Sequence, residues 1–190
     1  MGIGERVRAD EPPEIVYYVA SSLDGRIATP DRGAEWLEPF EVEDEDYGYA
    51  AFYASVDAVI LGRRTYEQCL SFATWPYPAK PCWVFSRRPL EPARPEVTFT
   101  SESPGALVAR FAAEGVRRAW LVGGAELAAS FRNEGLIHEY VVSVIPMILG
   151  EGIPLLAPGG PRDSLVLAGV KPFGNGVIQL RYLWTKGLEW

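Results

Sequence analysis

The hydrophobic positions of the chain fall into short runs that are bounded by glycine, proline or charged residues. Runs rich in valine, isoleucine and aromatic side chains predict buried β-strands at residues 15–22, 57–61, 81–86, 96–100 and 118–122. Apolar residues at helical spacing predict helices at residues 47–55, 65–72, 104–114 and 125–133. This alternation of strands and helices predicts right-handed βαβ units, an α/β fold and a mainly parallel sheet.

The pattern changes in the last third of the chain. Residues 138–145, 164–170 and 177–184 predict strands that are joined by Gly/Pro turns, with no room for helices between them. We therefore expect antiparallel pairing at one edge of the sheet. The apolar residues of these strands, together with Trp184, predict a homodimer surface.

The composition limits the class of partner. Residues 1–13 are polar, so we expect a flexible lead followed by one domain over residues 14–190. The lead lacks the apolar centre of a signal peptide, and no stretch approaches the ~20 apolar residues of a membrane span. A net charge of −7 argues against nucleic acid but not against a small anionic ligand. The sequence predicts a cytoplasmic protein with a small-molecule substrate and with neither a membrane nor a nucleic-acid partner.

Few residues are suited to metal or nucleophilic chemistry. Cys69 and Cys82 are too few for a zinc site or a disulfide framework, and we predict that both are core residues. His138 is the only histidine, and the chain has no G-x-S-x-G motif. We therefore predict a structural histidine, no bound metal and no hydrolase triad.

Three predicted strands end in groups that are suited to binding anions. The free N–H groups and the dipole of a following helix favour phosphate, and arginines add charge-assisted contacts. One such junction is also typical of an ordinary βα turn, and no G-x-G-x-x-G fingerprint is present. Parallel strands, however, bring their carboxyl ends to one sheet edge, and arginine pairs at two junctions favour NADP over NAD. The junctions are Gly62-Arg63-Arg64, Ser86-Arg87-Arg88 and Gly123-Gly124.

The order and spacing of six short motifs resemble the dihydrofolate reductase superfamily. More narrowly, the chain is similar to the reductase domain of the bifunctional riboflavin-biosynthesis deaminase–reductase (RibD C-terminal domain) and to its stand-alone relatives. The resemblance covers residues 15–184 and implies a three-layer fold, with an eight-stranded mixed sheet, flanking helices and NADPH across the strand ends. The motifs are VASSLDGRIA (19–28), DAVILGRRTYE (57–67), WPY (75–77), VFSR (84–87), LVGG (121–124) and IP with LGEG (145–146 and 149–152).

The resemblance also implies positions around the cofactor. Ala20 and Ile27 would border the nicotinamide, while Ser86 and Arg87 would meet the adenosine 2′-phosphate. In such an enzyme the cofactor supplies the hydride, and the protein supplies orientation and complementary charge. The phosphates would be held by Gly62, Arg63, Arg64 and Thr65, and the pyrophosphate turn by Gly123, Gly124, Ala125 and Glu126.

On the substrate side, the resemblance places the buried acid of dihydrofolate reductases at Asp46, facing Ser143. A carboxylate there could orient a heterocyclic N–H or relay a proton, although acidic residues are also common in first helical turns. Asp24 could contact substrate or could only form an Asp-Gly turn. Lys80 falls near the arginine with which folate enzymes hold the glutamate tail. Because lysine is a poorer bidentate clamp, this difference argues against a folate substrate.

These expectations support alternative functions. The first is an NADPH-dependent reductase of a small heterocyclic or sugar-phosphate compound, such as 5-amino-6-(5-phosphoribosylamino)uracil of riboflavin biosynthesis. The second is a nucleotide-binding sensor or ligand-binding protein of the same fold without efficient turnover. A true dihydrofolate or pterin reductase is a further alternative. An NADPH-oxidation screen would distinguish turnover from binding alone.

Overall fold

The structure, a computed structural model, describes residues 12–88 and 90–185. Most of the predicted flexible lead, residues 1–11, lies outside the described residues. No helix in the described ranges is long and apolar enough to cross a membrane. The helices are α1 Tyr49–Ser55, α2 Arg63–Leu70, α3 Pro104–Glu114 and α4 Ala125–Asn133, with a 3-10 helix at Glu35–Phe40. The strands are β1 Glu14–Ser22, β2 Arg26–Ala28, β3 Ala58–Gly62, β4 Cys82–Phe85, β5 Val97–Thr100, β6 Arg118–Gly123, β7 Glu139–Ile145, β8 Ile153–Pro154, β9 Leu165–Pro172 and β10 Ile178–Trp184.

Eight of these strands form one sheet in the order β5-β4-β3-β6-β1-β7-β10-β9, and β2 pairs with β8. Neighbours from β5 to β7 run parallel, whereas β10 is antiparallel to both β7 and β9. The sheet confirms the predicted fold class, a mixed, mainly parallel sheet with an antiparallel C-terminal edge. The carboxyl ends of the six parallel strands therefore lie at one edge of the sheet.

Alternating side chains of the central strands bury a hydrophobic core on each face of the sheet. On one face, Tyr17 and Leu121 pack with Phe111 of α3 and Phe131 of α4. The other core lies between the sheet and helices α1 and α2, and it contains both cysteines, which confirms their predicted role as core residues. Its buried members include Val59, Leu61, Cys69, Cys82 and Trp120.

Two helices begin at positions that differ from the sequence prediction. Helix α2 starts at Arg63 because Gly62, with φ −77° and ψ 152°, is already its N-cap. It ends at Leu70 rather than residue 72, and the Phe72 side chain beyond its end is exposed. Helix α1 starts at Tyr49, after a left-handed Gly48. Because α2 starts at Arg63, directly after β3 ends at Gly62, its first N–H groups lie at the end of β3.

The sequence pattern does not predict the small sheet formed by β2 and β8. These strands are three and two residues long, too short to show a period. Their close approach depends on Gly152, which has φ +136° and where a Cβ atom would lie 2.1 Å from the Ala28 carbonyl oxygen. Only glycine fits there, because a side chain would add steric overlap to an unfavourable backbone conformation.

His138 precedes β7, and its Nδ1 accepts a hydrogen bond from the backbone N–H of Ile15 at 3.1 Å. Burial lowers the pKa of the imidazole below its ordinary value, which favours the neutral form that this bond requires. The prediction of a structural histidine is confirmed.

Strand β9 forms an edge of the sheet and carries exposed apolar side chains. Leu167 and Val170 are 53% and 54% exposed. Apolar side chains on an edge strand are suited to contact with another chain, and the predicted homodimer stays a prediction.

Candidate functional site

A cavity of about 560 Å³, here called cavity 1, lies at the carboxyl ends of β3 and β4 and the starts of α2 and α4. The three predicted anion-binding junctions meet there because β4, β3 and β6 are neighbours in the sheet. The predicted cofactor residues in its lining are Gly62, Arg63, Arg64, Thr65, Ser86, Arg87, Gly124, Ala125 and Glu126.

Helices α2 and α4 begin at cavity 1 without a side-chain cap. Their N-caps are Gly62 and Gly124, which have no side chain to accept a hydrogen bond from the first turn. Helix α3 differs, since the Ser103 hydroxyl accepts from the Ala106 N–H at 3.2 Å. The first N–H groups and positive dipole ends of α2 and α4 are therefore suited to an anion in cavity 1.

The arginines that line cavity 1 differ in their ion pairs. Arg63 lies 2.5 Å from a carboxylate of its own helix, and Arg64 lies 3.9 Å from Glu126. Arg87 and Arg88 are exposed at the end of β4, and neither has an ion-pair partner within residues 12–88 and 90–185. These two guanidinium groups are therefore available to a phosphate.

Three predicted cofactor residues lie outside the lining of cavity 1. Ala20 lines a second cavity, described below, and Ile27 of β2 lines neither. Gly123 is buried beneath the turn with φ +108°, and a Cβ atom there would lie 3.6 Å from the Tyr17 ring. The roles of these three residues at a cofactor stay predictions.

Sequence reasoning missed part of the lining. Thr100 and Ser101 form a fourth strand end, at β5, and Arg32 comes from the loop after β2. Gln68 of α2 holds this loop, because its Nε2 donates to the Arg32 carbonyl oxygen at 3.0 Å. The rule on parallel strand ends could have indicated β5, but no sequence motif marks Arg32.

A second cavity of about 230 Å³, cavity 2, lies along the next strands of the same sheet, β1, β7 and β10. Ala20, Ser143 and Gln179 form one row across these strands, since Ser143 pairs in register with both of the others. The 3-10 helix, α1 and the segment between them complete the wall. The lining residues are Tyr18, Ala20, Leu37, Phe40, Glu41, Asp46, Tyr47, Tyr49, Ser143, Ile145 and Val177.

Gln179 organises the polar side of cavity 2. Its Nε2 lies 3.1 Å from Ser143 Oγ, 3.3 Å from the Tyr18 hydroxyl and 3.2 Å from the Tyr47 carbonyl oxygen. Sequence reasoning missed Gln179 because its contacts depend on the register between β7 and β10, which no local pattern indicates.

Asp46 and Ser143 both line cavity 2, but Asp46 is exposed at the start of α1, whereas the resemblance implies a buried acid at this position. The Asp46 carboxylate accepts from the backbone N–H groups of Ala50 at 2.9 Å and Gly48 at 2.8 Å, and so caps α1. These two hydrogen bonds lower the pKa of the exposed carboxyl below its ordinary value. An ionised carboxylate accepts N–H groups well and is a poor proton donor near neutral pH. These contacts are those of a helix cap, and a role for Asp46 in orienting a substrate or relaying a proton stays a prediction.

Asp24 lies outside the lining of both cavities and joins two loops. Its carboxylate accepts from Ser22 Oγ at 2.6 Å and from the backbone N–H groups of Leu149 and Gly150 at 3.0 and 2.8 Å. These hydrogen bonds, led by that of the Ser22 hydroxyl, lower the pKa of Asp24 to about 2. The contacts are those of a structural clamp, and a contact with substrate stays a prediction.

Asp24→Asn should lower the melting temperature at neutral pH, because the variant loses a charged acceptor of three hydrogen bonds. A carboxyl with a depressed folded-state pKa stabilises the fold above its unfolded pKa and loses this effect as the pH falls through the folded value. The difference from wild type should therefore shrink between about pH 4 and about pH 2. Thermal denaturation at several pH values measures it.

The matched control is Asp44→Asn, at an exposed aspartate whose side chain has no hydrogen bond within the described residues. This variant should follow the wild-type curve at every pH. A melting difference for Asp24→Asn that stays constant down to about pH 2 would contradict the clamp.

The Lys80 side chain contacts other residues of the protein and does not face a cavity lining. Its Nζ donates to the Val56 carbonyl oxygen and lies 5.4 Å from the centroid of the Tyr53 ring. It therefore fastens the end of α1, and this supports the expectation that a folate tail has no clamp here.

The sheet order and the cavities along its edge define an α/β protein of the dihydrofolate reductase-like type, the fold of riboflavin-pathway reductases. The chain belongs to the RibD C-terminal domain family, which matches residues 13–179. It is 44% identical over 169 residues to YwjB of Bacillus subtilis (strain 168), an uncharacterized protein. That match covers 88% of this chain and 96% of YwjB.

Solved structures share the fold over most of the chain. A candidate riboflavin biosynthesis protein from Shewanella sp. PV-4 has a TM-score of 0.84 and 28% identity, with 91% of this chain and 99% of that one covered. A diaminohydroxyphosphoribosylaminopyrimidine deaminase/5-amino-6-(5-phosphoribosylamino)uracil reductase from Thermotoga maritima has a TM-score of 0.70 and 14% identity. The alignment covers 92% of this chain and 57% of that longer protein, and it shows a common fold.

Proposed function

We propose that the protein is an NADPH-dependent reductase that transfers hydride to a small heterocyclic compound. The observation that carries the proposal is the placement of cavities 1 and 2 on neighbouring strands at one sheet edge. Cavity 1 offers uncapped helix N-termini and available arginines, while cavity 2 offers aromatic walls, a carboxylate and a hydroxyl. Membership of the RibD C-terminal domain family supports the assignment.

The residues of cavity 1 fit NADPH. Its volume of about 560 Å³ is typical of a cofactor site, for which about 300–1,000 Å³ is usual. The helix starts at Gly62 and Gly124 would hold the bridging phosphates, and Arg87 with Arg88 would meet the 2′-phosphate. The bound cofactor supplies the hydride. In cavity 2, Asp46 accepts an N–H group of the substrate and fixes its ring.

The protein should bind NADPH with about micromolar affinity, measured by quenching of tryptophan fluorescence. An anaerobic screen should then show NADPH oxidation with one acceptor from a panel of pterins, dihydrofolate and 5-amino-6-(5-phosphoribosylamino)uracil. Failure to bind NADPH at millimolar concentration would contradict the proposal.

The second candidate function is a nucleotide-binding protein without efficient turnover. The observation in its favour is that the exposed Asp46 carboxylate accepts two backbone N–H groups, which lower its pKa and make it a poor proton donor near neutral pH. NADPH binding without oxidation by any member of the panel would favour this candidate over the reductase.

A further inference from the structure

The linings of the two cavities differ in charge. Among the described residues, cavity 1 has five arginines and two glutamates in its lining, whereas cavity 2 has two carboxylates, Glu41 and Asp46, and no lysine or arginine. A phosphate monoester carries about −1.5 to −2 charges at neutral pH. Beside cavity 2, this charge would face two carboxylates with no compensating cation in the wall. The charge distribution therefore assigns anionic groups to cavity 1.

Lys171 is the cation whose charge reaches Asp46. It contributes to the lowered pKa of Asp46, after the backbone N–H groups of Ala50 and Gly48. Its Nζ lies 4.6 Å from the centroid of the Phe173 ring, and Lys171 is not among the lining residues. The ammonium group therefore lies against the Phe173 ring outside the described wall of cavity 2, and the variant Lys171→Gln below tests whether it reaches a phosphate.

Cavity 2 has the size and the walls of a site for a flat ring. Its volume of about 230 Å³ lies below the range of about 300–1,000 Å³ for drug-sized ligands. Tyr18, Phe40, Tyr47 and Tyr49 contribute aromatic rings to the wall. The Tyr18 ring stacks on Phe52 with centroids 4.1 Å apart and an interplanar angle of 15°, so its position is fixed. Such walls favour a planar π-system over a sugar chain.

The polar groups of cavity 2 provide a hydrogen-bond donor and an acceptor. Ser143 Oγ accepts from Gln179 Nε2 at 3.1 Å, and within the described residues its own proton has no acceptor. The Asp46 carboxylate binds two backbone N–H groups, and a carboxylate has about four acceptor positions. A ring with an N–H group near a carbonyl oxygen or an unprotonated ring nitrogen would satisfy both side chains.

We infer that cavity 2 binds a planar nitrogen heterocycle without a phosphate group, and that Glu41 and Asp46 select against phosphorylated compounds. The inference rests on the proposed function and narrows it, because it keeps the heterocyclic acceptor and excludes the sugar phosphate. The energetic reason is that a ring gains stacking and two hydrogen bonds, while a phosphate meets two like charges and finds no lysine or arginine among the described residues of the wall.

A matched series of ligands tests this inference. 5,6-Diaminouracil, 5-amino-6-ribosylaminouracil and 5-amino-6-(5-phosphoribosylamino)uracil share one base, and the last two differ only by the phosphate. Pterin and lumazine add other planar rings. Calorimetric titration in saturating NADP⁺ should show at least one phosphate-free ring binding about tenfold or more tighter than the phosphorylated compound, with the riboside also tighter than its phosphate.

Variants of the wall separate repulsion between its carboxylates and the phosphate from the larger size of the phosphorylated ligand. Glu41→Gln combined with Asp46→Asn should reduce the difference between riboside and phosphate severalfold, and asparagine keeps one of the two hydrogen bonds to the start of α1. Lys171→Gln is the control and should leave the affinity of the phosphorylated compound unchanged. A severalfold loss of that affinity in Lys171→Gln would show that Lys171 holds the phosphate, and so would overturn the inference.

Two further results would overturn the inference. One is tighter or equal binding of the phosphate compared with the riboside, and the other is no binding of any phosphate-free ring. Fluorescence titration with NADPH alone keeps this test separate from the proposed function. Loss of NADPH binding contradicts the reductase, whereas normal NADPH binding with a preferred phosphorylated ligand contradicts only the selection in cavity 2.

Discussion

Arg87→Ala should weaken NADPH binding by about 10- to 100-fold and leave NADH binding within about threefold of wild type. Arg87 is exposed in the lining of cavity 1 and has no ion-pair partner within residues 12–88 and 90–185. A hydrogen bond between a guanidinium and a phosphate contributes about 1.5–3 kcal/mol, and only NADPH carries the 2′-phosphate. Fluorescence titration of both nucleotides measures the two affinities.

Ser86 holds the backbone of the turn after β4 that carries Arg87. Ser86 Oγ donates to the Arg88 carbonyl oxygen at 2.8 Å and accepts from the Arg88 N–H at 3.2 Å. Arg87→Lys, which keeps the charge but loses the planar fork, should therefore have an intermediate effect. Arg162→Ala, at an exposed arginine outside both linings, should leave both affinities unchanged. Equal losses for NADPH and NADH in Arg87→Ala would contradict the contact.

The meeting of the three junctions at one sheet edge could be predicted because its signals are local in sequence. Gly62 and Gly124 directly follow apolar strands and precede helices, and α3 and α4 have the predicted bounds. The strand–helix alternation then places the strand ends at one edge by the general rule for parallel sheets. The error at the start of α2 is also informative, because apolar spacing begins later than the N-cap glycine that actually starts the helix.

Cavity 2 was harder to predict from the sequence, because its residues come together only through the register between paired strands. Ala20, Ser143 and Gln179 become neighbours only when β1, β7 and β10 pair in one register. The resemblance to dihydrofolate reductases located Asp46 and Ser143, but it gave no indication of Gln179. Asp24 shows another limit, since the sequence left substrate contact and an Asp-Gly turn as open alternatives and gave no sign that the side chain joins two loops.

Trp120→Ala should lower the free energy of unfolding by about 3–5 kcal/mol, the usual cost of removing a large buried aromatic side chain. The indole is 7% exposed and lies at the centre of the core under α1 and α2. Its Nε1 donates to the Tyr18 carbonyl oxygen at 3.0 Å. Five rings contact it edge-to-face, with centroids 5.3 to 6.4 Å away: Tyr18, Tyr49, Phe52, Tyr53 and Tyr77.

Trp120→Phe separates packing from the hydrogen bond. It keeps an aromatic ring but leaves the Tyr18 carbonyl oxygen without the indole donor, so it should cost about 1–3 kcal/mol. Because Tyr18 and Tyr49 line cavity 2, this variant should weaken binding of a heterocycle there while NADPH binding in cavity 1 is retained. Urea denaturation and the two ligand titrations measure these effects.

Phe72→Ala is the matched control for Trp120, since the Phe72 side chain is 50% exposed and the truncation should change stability by about 0.5 kcal/mol or less. A loss for Trp120→Ala no larger than this would show that the aromatic cluster contributes little to stability. If Trp120→Phe lowered the affinities for the heterocycle and for NADPH by similar factors, this would contradict the prediction that Trp120 supports cavity 2 and not cavity 1. Separate support is expected because Trp120 contacts Tyr18 and Tyr49 of the cavity 2 wall directly, whereas Trp120 is not among the described residues that line cavity 1.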